Sequence, residues 1–484
     1  MTAADERGAR LSLCVDLDGT LVATDTLWES ALALLRTQPL RALLLPVWLL
    51  RGRAALKRAL ANAAPIDVAS LPYRAEVLAY IAEARASGRP VLLATASTRA
   101  VAERVAAHTR AFDEIVASDD ENLKGARKRD ALVARFGARG FEYLGDSSAD
   151  LAVWESAARG SLVGGSPALR AGLLARTALG REFAAPAGGF GAWLRALRIR
   201  QWLKNLLLLL PLLASHRFLE APLALAALLG FLAFSLTASA VYVANDLMDL
   251  AADRLHPTKR MRPFASGALS VPAGLIAAPL LVAAGFALAQ ALPAAFSAAL
   301  GFYLAVNVVY TLRLKRMLLA DVAVLGGLYA LRVVVGGIAT GVVVSPWLMG
   351  FSLFFFLSLA FLKRFAELRL LAEAGAEDAP GRAYRASDAP VLLALGLSCA
   401  AVSTLVLGLY IQGDMVATLY RSPAALWALV PLLVYWSGRI WLLANRGEVD
   451  DDPILFTSRD RTSWVVAALA GITFAAAALG VRST

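Results

Sequence analysis

Cysteine is almost missing from this chain of 484 residues: the two present, Cys14 and Cys399, lie far apart in apolar surroundings. That rules out a disulfide framework and a cysteine metal site, so both read as core residues in a reducing or lipid environment. Charge is scarce as well, at 18% of residues against about 25% in soluble domains. Hydrophobic residues make up 58%, and mean hydropathy is +0.61, so much of the chain belongs in a bilayer. Acids are the minority sign, 37 against 48 Lys and Arg, for a net charge of +11. No basic stripe with interleaved aromatics accompanies that excess, so nucleic acid does not explain it; cytoplasmic loops of a membrane protein do. The N-terminal Met-Thr-Ala-Ala-Asp-Glu lacks a basic region followed by an apolar core. No signal peptide is therefore expected, and the first domain should stay cytosolic.

What is present is unevenly spread. Residues 1–190 are charged and amphipathic, whereas 200–480 are dominated by Leu, Ala, Val and Phe runs. The small-residue stretch Ala-Ala-Pro-Ala-Gly-Gly-Phe-Gly-Ala marks a boundary. The expected domains are 1–185, a linker 186–197, and a membrane domain 198–484.

The densest chemistry lies between Asn245 and Pro263, directly after an apolar run. If the preceding helix continues to about Arg254, then Asn245 or Asp246, Asp249 and Asp253 share one face. Carboxylates crowded on one face repel, and a hard divalent cation with oxygen ligands, Mg²⁺, offsets them. Pro257 should end the helix, after which Lys259, Arg260 and Arg262 offer cations suited to a phosphate or diphosphate. The bland alternative is a cytoplasmic loop whose charges only set topology. The string N-D-x-x-D-x-x-x-D-x-x-x-P-x-K-x-x-R-P resembles the first aspartate-rich motif of the UbiA superfamily of membrane prenyltransferases. Asp253-Arg254-Leu-His256-Pro-Thr-Lys259-Arg260 is similar to the branch of decaprenyl-phosphate phosphoribosyltransferases. That resemblance implies substrate contacts for Arg254, His256, Lys259, Arg260 and Arg262, and a metal-dependent role for Asp249.

Earlier in the chain, Leu-Ser-Leu-Cys-Val-Asp16-Leu-Asp18-Gly-Thr is a short apolar strand ending in two acids, the active edge of an α/β sheet. It resembles the first motif of the haloacid dehalogenase (HAD) phosphohydrolases. The likeness implies a Rossmannoid α/β fold with a small helical cap. Asp16 would be the nucleophile and Asp18 the general acid/base, both near a Mg²⁺. Thr95, at the end of Val91–Thr95, looks like the second-motif phosphate ligand. Asp146 and Asp150 match the metal-binding acids of the fourth motif. For the lysine that offsets charge on the nucleophile, Lys124 and Lys128 compete. The cap, about 25–75, contains Leu40–Leu50 followed by Arg51, Arg53, Lys57 and Arg58. That run is too short to span, and either lies in a membrane interface or packs on its own domain.

Nine apolar segments follow, at 202–220, 223–244, 271–291, 294–312, 319–341, 346–362, 389–411, 423–444 and 463–481, an all-α polytopic membrane domain. Basic residues cluster after the even-numbered segments, which places the N-terminal domain and those loops in the cytoplasm, the C-terminus outside, and the protein in the cytoplasmic (inner) membrane. Lys204, in Arg-Gln-Trp-Leu-Lys-Asn, resembles the family's opening motif and is a candidate lipid-phosphate ligand. Tyr310, Lys315 and then Asp321 resemble the phosphoribosyltransferase branch. Arg332 lies about eleven residues deeper than Asp321, either functional or paired with it across the bundle. Where UbiA relatives carry a second aspartate-rich motif, this chain has Lys363-Arg364-Phe-Ala-Glu367, cations suited to a monophosphate without a second metal. The expected activity is phosphoribosyl transfer from phosphoribosyl diphosphate to polyprenyl phosphate, with the HAD domain removing the product's 5-phosphate. The alternative is transfer from a prenyl diphosphate to an aromatic acceptor beside a separate phosphatase.

Overall fold

A computed structural model describes residues 11–119, 122–184, 188–373, 382–449 and 452–479. Asp450 and Asp451, which stand beside Asp452 in the sequence, lie outside these, as do 185–187 of the small-residue stretch. Two compact units emerge, one of Met1–Leu197 with Tyr242–Ala278, the other of Arg198–Val241 with Pro279–Thr484.

The first unit is built on six parallel strands, β1 (Ser12–Val15), β2 (Val91–Thr98), β3 (Glu114–Ser118), β4 (Phe141–Gly145), β5 (Arg159–Val163) and β6 (Ala178–Phe183), in the order β3-β2-β1-β4-β5-β6. β1 and β4 are buried at every position, the uniform pattern of strands covered on both faces rather than the alternation of a half-exposed sheet. The strand order reverses between β1 and β4, and at such a switch point the carboxyl ends open a crevice. Register fixes what faces that crevice. Val15 pairs with Leu93 and Leu144, so Asp16, Thr95 and Asp146 all emerge within a step or two of one another.

Four helices form the cap: α1 (Thr26–Thr37), α2 (Pro39–Ala42), α3 (Leu45–Leu50) and α4 (Arg53–Ala63). Asp25 caps α1 by accepting from the Leu27 amide. Leu34, Leu60 and Ala64 make a small core of their own, whereas α2 and α3 bury no residue. Ala42, Leu45 and Trp48 of that run pack in part against this small core, while Leu40, Leu43 and Leu50 stay exposed, so only one side of it is packed on its own domain.

Eight helices among the described residues are long and apolar enough to cross a membrane: Ala221–Met248, Val271–Ala289, Ala294–Leu312, Ala320–Thr340, Pro346–Glu373, Ala386–Ile411, Pro423–Asn445 and Arg461–Leu479. The segment expected as a first span, 202–220, departs from this. It is a 3-10 stretch, Ile199–Leu209, continued by the short helix Leu210–Ala214. In a 3-10 helix residues three apart eclipse, so Asn205 and Leu208 share one side, and both are buried. The backbone of Leu208 comes so close to the 320–340 helix that a Cβ on Gly336 would collide with it. Apolarity was therefore readable from composition, whereas the 3-10 geometry and this close backbone approach were not. Gly336→Val should cost about 1–3 kcal/mol by overpacking. Gly327→Val, on the same helix with nothing near its Cβ position, should be tolerated; thermal unfolding of the detergent-solubilised protein compares the two.

Candidate functional site

The Asp-Gly turn after β1 brings the first carboxylates together. Gly19 has φ +77°, and a Cβ there would run into the Asp146 carboxylate, so only glycine lets this loop approach β4. Asp16 is buried, its Oδ1 accepting from the Leu17 amide at 2.9 Å and lying 2.9 Å from Lys128 Nζ. Lys128 also donates to the Tyr143 hydroxyl, which in turn donates to Asp150 Oδ1, each at 2.8 Å. Asp150 Oδ2 accepts from the Asp146 and Ser147 amides and the Ser147 hydroxyl, so Asp150 is held from two sides. Of the two competing lysines, Lys128 stands against Asp16; Lys124 is exposed.

Asp18 points elsewhere. Its carboxylate accepts from the Thr26 amide at 2.8 Å and the Ser97 hydroxyl at 2.5 Å. Thr95 is fully buried, and its hydroxyl accepts from the Ser97 amide. Ligand atoms of Asp16, Asp146 and Asp150 lie within 4.8 Å of one another, and among the described residues this is the one such acidic trio. Burial, offset only in part by Lys128, pushes Asp16 up to about 7. Burial together with the charges of Asp16 and Asp150 pushes Asp146 to about 7 as well. Burial opposes the charge of Lys128, yet Asp16 and Asp150 hold its pKa above the usual lysine range. Oxygen donors crowded this way fit a hard divalent cation such as Mg²⁺.

The aspartate-rich stretch belongs to the same unit. The 221–248 helix stops at Met248, Asp249 begins a short helix Leu250–Leu255, and the chain turns at His256 and Pro257, close to the expected continuation. Arg262 Nη1 lies 3.1 Å from Asp246 Oδ1 and 2.6 Å from Asp253 Oδ2, so these two carboxylates converge on one cationic nitrogen. That convergence fits a cation-binding role. His256 accepts from the Thr258 and Lys259 amides and shapes the loop. Arg254 is engaged by Glu29 of α1, with Nη2 2.7 Å from Oε1 and Nη1 3.2 Å from Oε2, and both side chains are nearly enclosed. A cleft of about 660 Å³ lies beside this pair, lined among others by Tyr73, Arg74, Arg254, Arg260 and Ser266.

In the second unit, Asp321 sits fully buried in the first turn of the 320–340 helix. It accepts from Arg364 Nε at 2.6 Å, from the Tyr384 hydroxyl at 2.5 Å and from Arg382 Nη1 at 3.4 Å. Arg364 also pairs with Glu367 and reaches the Tyr310 hydroxyl at 3.3 Å. Arg332 is not Asp321's partner. Its Nε donates to Asn205 Oδ1 at 2.8 Å, and its guanidinium lies over the rings of Phe234, Tyr303 and Tyr329 at 5.1–5.7 Å. Lys204 pairs with Asp452, and Lys363 feels the charges of both. Lys315 lies in the short turn Leu314–Arg316.

Several residues were not singled out from sequence. Arg382 and Tyr384 complete the Asp321 cluster from a segment without any motif. Ser97 was readable only as a second hydroxyl two residues after Thr95. Lys57 looked like part of a basic surface, but its Nζ turns inward to the Ala96 carbonyl at 2.6 Å and Asn122 Oδ1 at 3.1 Å.

Comparison with known proteins finds two family matches along the chain. The UbiA prenyltransferase family profile matches residues 206–459, and that of haloacid dehalogenase-like hydrolases matches 13–155. Uncharacterized protein y4nM of Sinorhizobium fredii is 40% identical over 473 residues, covering 96% of this chain and 90% of that protein. Nodulation protein NoeC of Azorhizobium caulinodans is 36% identical over 282 residues, 57% of this chain and 90% of its own. Decaprenyl-phosphate phosphoribosyltransferase of Mycolicibacterium smegmatis is 36% identical over 188 residues, 38% of this chain and 59% of that protein.

The Glu29–Arg254 pair supplies a test of the geometry. Glu29→Ala leaves an enclosed guanidinium unmatched and should destabilise the first unit by about 3–5 kcal/mol. The double variant Glu29→Ala, Arg254→Met should recover much of that loss, read as thermal midpoints in a double-mutant cycle.

Proposed function

The chain belongs to the UbiA prenyltransferase family, as an integral membrane protein that also carries an N-terminal haloacid dehalogenase-like hydrolase domain, and from that premise we propose that it makes and then dephosphorylates a lipid-linked phosphoribose. The observation that carries this reading is the cluster within the 346–373 helix, where Lys363 and Arg364 stand instead of a second acidic motif. Cations there suit a lipid monophosphate better than a second metal-bound diphosphate. The similarity to decaprenyl-phosphate phosphoribosyltransferases supports the same choice.

In the first step the C1–O bond of phosphoribosyl diphosphate breaks, pyrophosphate leaves, and a phosphate oxygen of polyprenyl phosphate bonds to C1. Asn245, Asp246, Asp249 and Asp253 would hold Mg²⁺ here, as Asp16, Asp146 and Asp150 would in the hydrolase domain, and the bound ion neutralises phosphate charge. Lys259 and Arg260 contact the diphosphate, and Lys204 and Lys363 the lipid phosphate. Arg364, locked by Asp321, Tyr310 and Glu367, is a positioning residue. In the second step Asp16 attacks the 5-phosphate and Asp18 protonates the departing ribose oxygen. Asp18 then takes a proton from the water that cleaves the aspartyl-phosphate. Thr95 and Lys128 hold the phosphoryl oxygens. Both steps are assigned to the cytoplasmic face of the inner membrane, as the distribution of basic loops suggests.

The test is incubation of purified full-length protein with Mg²⁺, labelled phosphoribosyl diphosphate and polyprenyl phosphate, followed by separation of the lipids. Wild type should yield labelled dephosphorylated lipid, Asp16→Asn its phosphorylated precursor, and Asp246→Asn neither. No labelled lipid from wild type rejects the reading, and consumption of prenyl diphosphate in a parallel incubation with an aromatic acceptor assigns the alternative. In the same assay Lys128→Met should slow the second step by about 10²-fold or more. Exposed Lys124→Met should leave it within about twofold.

A further inference from the structure

The cap of the hydrolase domain exposes apolar surface that its own core does not use. Leu40, Leu43 and Leu50 are 81%, 75% and 89% exposed, and Leu44, Val47 and Leu49 add to the same run. On the other side of the cap, Leu34 and Leu60 are buried, with Leu45 and Trp48 packed against them. The α2–α3 turn is therefore two-sided, one side closing the cap and the other bare. Charge around it has one sign. No Asp or Glu occurs between Glu29 and Asp67, whereas Arg36, Arg41 and Arg51 are exposed at its edges. Leucines rimmed by arginines match the acyl boundary and anionic headgroups of a leaflet. Because the chain is anchored in a bilayer, such a surface is always within its reach.

We propose that α2–α3 is an in-plane membrane anchor that seats the cap on an anionic leaflet, and that the hydrolase domain's substrate is a phosphate monoester carried on a lipid. Only the second clause rests on the phosphatase reading above. α4 follows the anchor directly and carries Lys57, which lies against β2 and feels the charge of Asp18. One cap thus faces lipid on its outer side and the Asp18 side of the catalytic crevice on its inner side. A headgroup phosphate can enter there while its chain stays in the membrane.

The test uses the full-length protein, one copy per nanodisc of phosphatidylcholine and phosphatidylglycerol, with Cys399→Ser and a spin label at Leu50→Cys or, as control, at exposed Glu155→Cys; fully buried Cys14 is left unlabelled. The ratio of oxygen to aqueous nickel-chelate accessibility should be about tenfold higher at position 50 than at 155. Equal ratios overturn the anchor. So does a label reached by neither quencher, which signals a protein contact instead. The substrate clause is read from Leu43→Glu, Leu50→Glu: cleavage of p-nitrophenyl phosphate should stay within about twofold, and cleavage of the phosphorylated lipid should fall about tenfold or more. An equal fall in both, or no fall in either, overturns that clause. If wild type cleaves no p-nitrophenyl phosphate, the phosphatase reading fails while the spin label still decides the anchor.

Discussion

Burying a carboxylate costs several kcal/mol unless a cation meets it, and cations supplied by the chain itself meet the acids at each of its chemical clusters. Lys128 meets Asp16, Arg262 bridges Asp246 and Asp253, Arg254 meets Glu29, Arg364 meets Asp321, and Lys204 meets Asp452. These pairings decide which side chains are locked and which can exchange partners. Arg364 is almost fully enclosed and has three acceptors, so it serves as scaffold. Arg262 is about one-third exposed and holds two carboxylates through a single nitrogen, an arrangement that a divalent cation can replace.

Phosphate chemistry follows from that constraint. Two unit charges 4 Å apart interact by about 4 kcal/mol at an effective dielectric constant of 20, enough for an incoming dianion to compete for a cation already paired. Lys128 touches Asp16 and also reaches the Tyr143 hydroxyl, so it can lean toward a phosphoryl group without leaving its network. The Thr26 amide and Ser97 hydroxyl fix Asp18 apart from that lysine. Two carboxylates two residues apart thereby acquire different surroundings, the condition for dividing nucleophile from acid/base.

The strand-end acids Asp16 and Asp146 were legible in the sequence because a parallel sheet offers few places for them, and Thr95 was legible as a hydroxyl after an apolar run, although its strand continues to Thr98; register then brings the three together. The choice between Lys124 and Lys128 was not legible, since burial and not spacing separates them. Glu29 as partner of Arg254 was invisible for another reason, the 225 positions between them. Asp321 was legible as a buried acid, but its partners Arg382 and Tyr384 come from a segment with no periodicity to announce them. The pairing of Asp321 with Arg332 left open by the sequence fails sterically as well as electrically: three aromatic faces and Asn205 already enclose that guanidinium.

The first turn of α1 ties the loop after Asp18 to the aspartate-rich stretch within the first unit. The Thr26 amide holds Asp18, and Glu29, three residues on and therefore on nearly the same helical face, holds Arg254 next to Asp253. Thr24 Oγ1 donates to Glu29 Oε1 at 2.6 Å and ties that carboxylate back to the loop after Asp18. Thr26 and Glu29 lie within one turn of α1, so the two contacts are held at a fixed spacing. Asp18 and the aspartate-rich loop are thus both held by one short element, the first turn of α1.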